Sequence, residues 1–310
     1  MNVFDGYKIK GDKRFVVSVG MFDGIHKGHQ QLIHTMKQKA REKGLETMIF
    51  TFDVHPKVLL NADPPKSILT KEDKIALFRD LGVDNVIFAP FNNEIALMSA
   101  EDFVKKILVD ILHTAVVVMG ENHRFGNKQQ GDLHLLEKRS EQYQFEVCSV
   151  PPASYDGTKI SSTWVRQTIL QGKLRLTREL LDRFYHIKGM VVNGDGRGSE
   201  LGFPTANLDD IETKLPFDGI YSTYVEFQGE CRPAMAYIGF SPTFDGEKRK
   251  VEVHIFDFNE KIYGEELKVF FVAKIRDDEK FDDSETLKRK LTIDKNITLN
   301  ILADEDLLFE

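Results

Sequence analysis

Phe15-Val16-Val17-Ser18-Val19-Gly20-Met21-Phe22-Asp23-Gly24-Ile25-His26-Lys27-Gly28-His29 sets the architecture of the first half of the chain. A short apolar run leads into a loop punctuated by glycines. From His29 to Lys43, Leu32, Ile33, Met36 and Ala40 then recur at helical spacing, so the stretch reads as strand, loop and helix. Similar units follow. Thr47–Phe52, Asn85–Ala89, Ala115–Met119 and Phe145–Val150 have the length and apolar content of buried strands. Lys71–Leu81 and Ala100–Leu112 read as helices, each preceded by an N-cap (Thr70, Ser99) with an aspartate three residues on. Strands alternating with helices predict an α/β domain, a parallel sheet with helices on both faces. Ligands bind such sheets at the carboxyl ends of the strands, which is where Gly20–His29 falls.

The whole chain of 310 residues exceeds the usual single core, and two domains are expected. Its net charge of −7 argues against nucleic acid as a main partner but leaves nucleotides open, since these need only a local cluster of amides and cations. No apolar run is long enough for a membrane helix, and Met1–Lys13 lacks the character of a signal peptide. Cys148 and Cys231 have no metal-ligand spacing and read as packing residues of a cytoplasmic protein.

Beyond about residue 183 the texture changes. His186–Asn193, Ile220–Phe227, Arg232–Ile238, Lys250–Asp257 and Leu267–Ile275 read as strands separated by Gly, Asp and Pro turns, and Ser284–Leu302 as a closing helix. Val251, Val253 and Ile255 alternate with Glu252, His254 and Phe256, which predicts a barrel wall wet or ligand-facing on one side. The domain boundary is expected at Leu181–His186, giving domains 1–183 and 184–310.

Three segments carry chemistry. In the first loop, backbone amides and a helix N-terminus converge where an anion would bind. His26 and His29 at the helix entrance could donate to an α-phosphate, with Gly28 allowing close approach; a surface turn carrying two histidines is the plain alternative, and no third ligand supports zinc. Lys159-Ile160-Ser161-Ser162-Thr163-Trp164-Val165-Arg166 sets three hydroxyls between two cations at a helix start, either a cap or a cradle for phosphates. Gly194-Asp195-Gly196-Arg197-Gly198-Ser199-Glu200-Leu201-Gly202-Phe203-Pro204-Thr205-Ala206-Asn207 is turn chemistry or a flap around phosphates, with Thr205 and Asn207 as neutral oxygens suited to Mg²⁺.

These segments, together with Thr51-Phe52-Asp53-Val54-His55-Pro56 and Gly120-Glu121-Asn122-His123-Arg124-Phe125-Gly126, resemble the bacterial FAD synthetases, the bifunctional riboflavin kinase/FMN adenylyltransferase family, over nearly the whole length. The resemblance implies a Rossmann-like nucleotidyltransferase domain followed by a small Greek-key β-barrel riboflavin-kinase-like domain with a C-terminal helix. It implies ATP at Gly20, Phe22, Asp23, Gly28, Asn122, Ser161, Ser162 and Thr163, with His26, His29 and Arg166 catalytic in adenylyl transfer. His55, Pro56, Phe103 and Phe125 become flavin-side candidates. In the second domain the implied set is Gly196 for ATP, Thr205 and Asn207 for ATP and Mg²⁺, Glu252 as the carboxylate that takes a proton from the riboflavin hydroxyl, and Arg276 beside the flavin. ATP, FMN and riboflavin are the implied substrates and FAD the product. Neither nucleic acid nor membrane is an expected partner, and a monomer or weak homo-oligomer is expected.

The chain departs from the family at Ser199, where a second arginine is common. It departs again at Leu181-Asp182-Arg183-Phe184-Tyr185, usually L-G-R-P-Y, and at Tyr237, usually an asparagine. Two alternatives therefore stay open: an FAD synthetase with an inactive barrel, and a non-catalytic flavin- or nucleotide-binding regulator.

Overall fold

A strand absent from the sequence reading, β1 (Asn2–Asp5), starts the first unit. The computed structural model describes residues 1–7, 13–54, 64–194, 196–243 and 246–305. Packing divides the chain into two units, Met1–Ser162 and Thr163–Glu310.

In the first unit β2 (Phe15–Val19), β3 (Glu46–Phe52), β4 (Asn85–Ala89), β5 (Thr114–Gly120) and β6 (Glu146–Val150) join β1 in one sheet of order β1-β4-β3-β2-β5-β6. Every pairing in it is parallel. The central strands are buried almost throughout, as a sheet covered on both faces requires, whereas the edge strands β1 and β6 are largely open. The connecting helices are α1 (Lys27–Lys43), α2 (Lys71–Asp80), α3 (Asn93–Leu97), α4 (Ala100–Asp102, continuing as a wider π-helix over Phe103–Ile111) and α5 (Leu133–Tyr143). The two expected caps form: Thr70 Oγ1 accepts from the Asp73 amide at 3.2 Å and Ser99 Oγ from the Asp102 amide at 3.0 Å. From β2 the chain runs to β3 on one side, while β5 lies on the other. This reversal opens a crevice at the carboxyl ends of β2 and β5. A small hairpin, β7 (Ser154–Tyr155) and β8 (Thr158–Lys159), precedes α6 (Ser162–Leu170).

In the second unit α7 (Leu174–Leu181) leads into β9 (Tyr185–Val192). After α8 (Arg197–Glu200) come β10 (Ala206–Asp209), β11 (Gly219–Phe227), β12 (Glu230–Thr243), β13 (Gly246–Ile255) and β14 (Glu266–Arg276), then α9 (Ser284–Ala303). The strands close an antiparallel barrel in the order β10-β13-β12-β11-β14-β9. Because β14 returns beside β11, the path is a Greek key. The grouping of α6 and α7 with the barrel follows from packing, since α7 lies against β9 and β14. At the end of α7, Asp182 takes the left-handed conformation (φ 61°). Glycine favours that position and aspartate tolerates it, so the departure from L-G-R-P-Y is compatible with the same turn. Phe184 stacks under the Arg178 guanidinium at 4.5 Å.

The expected one-sided wall of β13 is only partly found. Val251, Val253 and Ile255 are buried, but so are His254 and Phe256 on the other face. Phe203, Met235 and Phe256 pack together with Leu291 of α9 against them, covering a face that alternation alone marks as open. Cys148 is half-buried and Cys231 exposed, and both are free thiols.

Candidate active sites

The first cavity, of about 360 Å³, sits where the strand order reverses. Its walls come from the loops after β2, β5 and β6 and from the residues leading into α6. Gly20, Phe22, His26, Gly28, His29, Asn122, Ser161 and Ser162 of the expected nucleotide set all line it, with Lys159 and His123 beside them.

The loop is held in an unusual shape. Phe22 and Ile25 both have positive φ (48° and 39°), costly for an aromatic and a β-branched residue and typical of functional loops. The turn places His26 at the N-cap of α1 with an extended backbone (φ −68°, ψ 169°), and the amides of His29 and Gln30 donate back to its carbonyl at 2.7 and 3.0 Å. The His26 and His29 rings stack, 3.8 Å between centroids and 17° between planes, and the Phe22 ring props His29 at 5.1 Å. A Cβ on Gly28 would lie 3.2 Å from His26 Cε1 and Nδ1. The glycine therefore makes room first for the His26 ring, a reason different from the nucleotide approach expected from sequence.

Asp23 is a correction in kind. It is 3% exposed and not part of the cavity wall. Its carboxylate accepts from the Ile68 amide at 3.0 Å and its carbonyl accepts from Ser162 Oγ at 2.8 Å, so it braces the loop from behind. Thr163 and Arg166 follow Ser162 on α6, at the start of the second unit. Phe103 and Phe125 are buried core residues 5.5 Å apart by ring centroid and are not brought to this cavity. His55 and Pro56 lie outside the described residues. His123, which the sequence offers only as a member of the Gly120–Gly126 segment, forms part of the wall; burial, reinforced by nearby Lys159, pushes its pKa down to about 4.

Two cavities lined by barrel residues measure about 340 and 250 Å³. Thr205 lines both. The larger is apolar on the side of Phe203, Met235, Phe281 and Leu291 and polar where Glu252, Arg276 and Asp278 face it. Ser199 and Tyr263 are among the residues around the smaller one. Thr205 Oγ1 and Glu252 Oε2 are 3.4 Å apart, and Asn207 is the register partner of Glu252 across β10 and β13. Thr205, Asn207 and Glu252 thus neighbour one another on β10 and β13, although Asn207 is outside both linings. Gly196 precedes α8 and is outside both linings.

Arg276 is fixed rather than free to swing. Its guanidinium makes three hydrogen bonds, 2.8–3.2 Å, to the Asp294 carboxylate of α9, and Asp294 is 1% exposed. His254 escaped the sequence reading as a site residue. It lines the larger cavity and its Nδ1, 2.7 Å from the Pro204 carbonyl, must donate to it. Burial lowers the pKa of this ring. The signal was available in its place two residues after Glu252, on the same strand face. Among the described residues no group of three His, Cys, Asp or Glu side chains could hold a metal. The neutral oxygens of Thr205 and Asn207 instead suit a Mg²⁺ ion that arrives with a nucleotide and keeps phosphate and water ligands.

A family model described as FAD synthetase matches residues 8–164, and one described as riboflavin kinase matches residues 181–302. A relative from Listeria monocytogenes, described as a bifunctional riboflavin kinase/FMN adenylyltransferase, is 38% identical over 93% of this chain and 92% of its own length. One from Escherichia coli with the same description is 33% identical over 90% of each. A solved structure from Streptococcus pneumoniae superposes with a TM-score of 0.89 at 34% identity, covering 97% of this chain and 99% of that one. That protein is described as a macrolide-efflux protein; no helix among the described residues here is long and apolar enough to cross a membrane. Two family models in tandem, and relatives that match both at once over nine-tenths of their length, make this chain a member of the bifunctional riboflavin kinase/FMN adenylyltransferase family.

Proposed function

We propose that this chain runs both reactions of its family, phosphorylation of riboflavin to FMN in the barrel and transfer of AMP from ATP to FMN, giving FAD and pyrophosphate, in the parallel-sheet domain. Residues 1–183 are assigned to the adenylyltransferase and 184–310 to the kinase.

The observation that carries the first assignment is the stacked imidazole pair lining a cavity at the sheet's reversal. FMN brings its own anionic nucleophile. A phosphate oxygen attacks the α-phosphorus in line and pyrophosphate leaves, so no general base is needed. The protein's part is alignment and stabilisation of the charge that builds on the α-phosphoryl oxygens. His26 and His29 are proposed as the donors to that charge, and Ser161, Ser162, Thr163, Lys159 and Arg166 as the hold on the remaining phosphates.

Riboflavin presents a neutral alcohol instead, which must lose a proton as it bonds to the γ-phosphorus and ADP leaves. Glu252 is proposed to take that proton, supported by its position at the junction that Thr205 makes between the two barrel cavities. Flavin would occupy the larger cavity and ATP the smaller. Thr205 and Asn207 would hold Mg²⁺ delivered with ATP, which neutralises phosphate charge. A cytoplasmic monomer or weak homo-oligomer supplied with these small molecules completes the proposal.

The test is incubation of purified protein with Mg-ATP and either riboflavin or FMN, followed by separation of the flavins. FAD from both substrates supports the bifunctional reading, and FAD from FMN alone points to a silent barrel. Absence of product from either leaves only the binding protein. His29→Ala should abolish FAD formation with the fold intact; a folded variant with parental activity refutes the role given to His29.

A further inference from the structure

Within the barrel's larger cavity one polar group has no role in the transfer outlined above. Tyr237 lies on β12 directly opposite Glu252 of β13, so both side chains rise from the same face of the wall. The ring does not stand straight out. A Cβ on Gly239 would lie 1.9 Å from the Tyr237 hydroxyl, which means that the ring runs along the strand over a residue bare of side chain. Its hydroxyl then sits one two-residue step from Glu252, roughly 6.8 Å along a strand.

There it donates its proton to Asp278 Oδ2 at 3.1 Å. Asp278 is itself fixed, since its Oδ1 accepts from the Glu279 amide at 2.9 Å. Burial, then the Asp278 and Glu252 carboxylates, push the phenol's pKa up, so it stays protonated at any working pH. A phenol has a single proton to give. With that proton committed to Asp278, what Tyr237 turns towards the cavity is lone pairs.

We propose that Tyr237 is a specificity-determining residue of the kinase site, its oxygen accepting a hydrogen bond from a secondary hydroxyl on the sugar-alcohol chain of the flavin while the terminal hydroxyl meets Glu252. The proposal rests on the kinase reading given above. A polyol chain carries donors on successive carbons before its terminal hydroxyl and spans the step between the two side chains, whereas a plain alkyl chain ending in one hydroxyl offers nothing to Tyr237. The same commitment of the phenol discriminates against chains that present only acceptors, because two sets of lone pairs would then face each other in a confined space.

The experiment compares parent and Tyr237→Phe on two substrates, riboflavin and a flavin whose chain is an unbranched alkyl with only the terminal hydroxyl. The expected result is a loss of about tenfold in kcat/KM for riboflavin, carried mainly by KM, with the alkyl flavin changed less than about twofold. Retained turnover of the alkyl flavin shows in the same assay that the barrel is folded. Adding Tyr237→Phe to an Asp278→Ala background should reduce selectivity for riboflavin less than it does alone, because the two groups act as one unit. An equal fall on both flavins, or no fall with riboflavin, overturns the proposal. If the parent phosphorylates neither flavin, the kinase reading itself fails, an outcome distinct from a parent that phosphorylates riboflavin and a variant that keeps its selectivity.

Discussion

Gly28→Ala separates activity from stability. Gly28 is the second residue of α1 and its backbone is ordinary helix, so alanine meets no conformational strain. By propensity the change stabilises the helix by up to roughly 0.5–1 kcal/mol, at the low end so near the terminus. The new methyl would sit 3.2 Å from two atoms of the His26 ring, tighter than van der Waals contact allows. The ring must retreat by a few tenths of an ångström. His26 is 6% exposed and stacked at 3.8 Å on His29, so the movement is transmitted to the pair. A misplacement of about 1 Å costs on the order of a hundredfold in rate, and one of half that size about tenfold. FAD formation from FMN should therefore fall about tenfold, chiefly in kcat, while the melting temperature moves little, since the propensity gain and the cost of shifting a buried ring oppose each other, and riboflavin phosphorylation is untouched. Flavin separation by chromatography and a thermal melt suffice. Parental FAD synthesis in this variant would mean that the placement of His26 does not limit the reaction, and the role given to the imidazole pair would fall.

Two further outcomes bear on the separate sites. Glu252→Gln keeps the shape of the side chain but cannot take a proton, and should cut FMN formation from riboflavin by at least about a hundredfold with FAD formation from FMN unchanged; equal loss of both refutes two independent sites. His123 has a folded-state pKa of about 4 against an ordinary 6.5. The folded chain therefore resists its protonation, and stability is unaffected above pH 6.5 and lost progressively as pH falls towards 4. The loss is at most about 3 kcal/mol and smaller in practice, since part of the ring reaches the water of the cavity. In denaturant unfolding at pH 7 and pH 5, His123→Phe should flatten that decline, and an unchanged slope would refute the shift.

The sheet was legible because its central strands are buried on both faces and so read as unbroken apolar runs; β4 begins and ends where sequence puts it. The strand β1 was not, because an edge strand of sequence Asn-Val-Phe-Asp is held by its backbone pairing to β4 and leaves no apolar signature. The strand β10 was hidden for another reason: its first two residues, Ala206 and Asn207, close a motif that reads as a phosphate loop. Of the first site, the histidines and their helix entrance followed from the loop sequence. Asp23 did not follow, because a motif residue that braces a loop and one that touches a ligand look the same until the Ile68 amide is seen beneath the carboxylate. Tyr237 was visible only as a departure. Its meaning depends on Asp278, which is remote in sequence and close only in the closed barrel.

The two proposed reactions ask for opposite electrostatics, and the two cavities differ accordingly. Adenylyl transfer brings a dianionic flavin phosphate to a triphosphate, so its cavity needs donors and cations; the first cavity has the His26–His29 pair, a helix N-terminus and Lys159, with Glu121 as its carboxylate. Phosphorylation begins with an uncharged flavin and a proton that must leave, so its cavity can hold carboxylates; it has Glu252, Asp278 and Glu279, while its one guanidinium, Arg276, is already neutralised by Asp294. On the proposed assignment, a wall of that sign would accept riboflavin and disfavour FMN once the phosphate is attached. An overall charge of −7 hides this division, because the feature that separates the two steps is local.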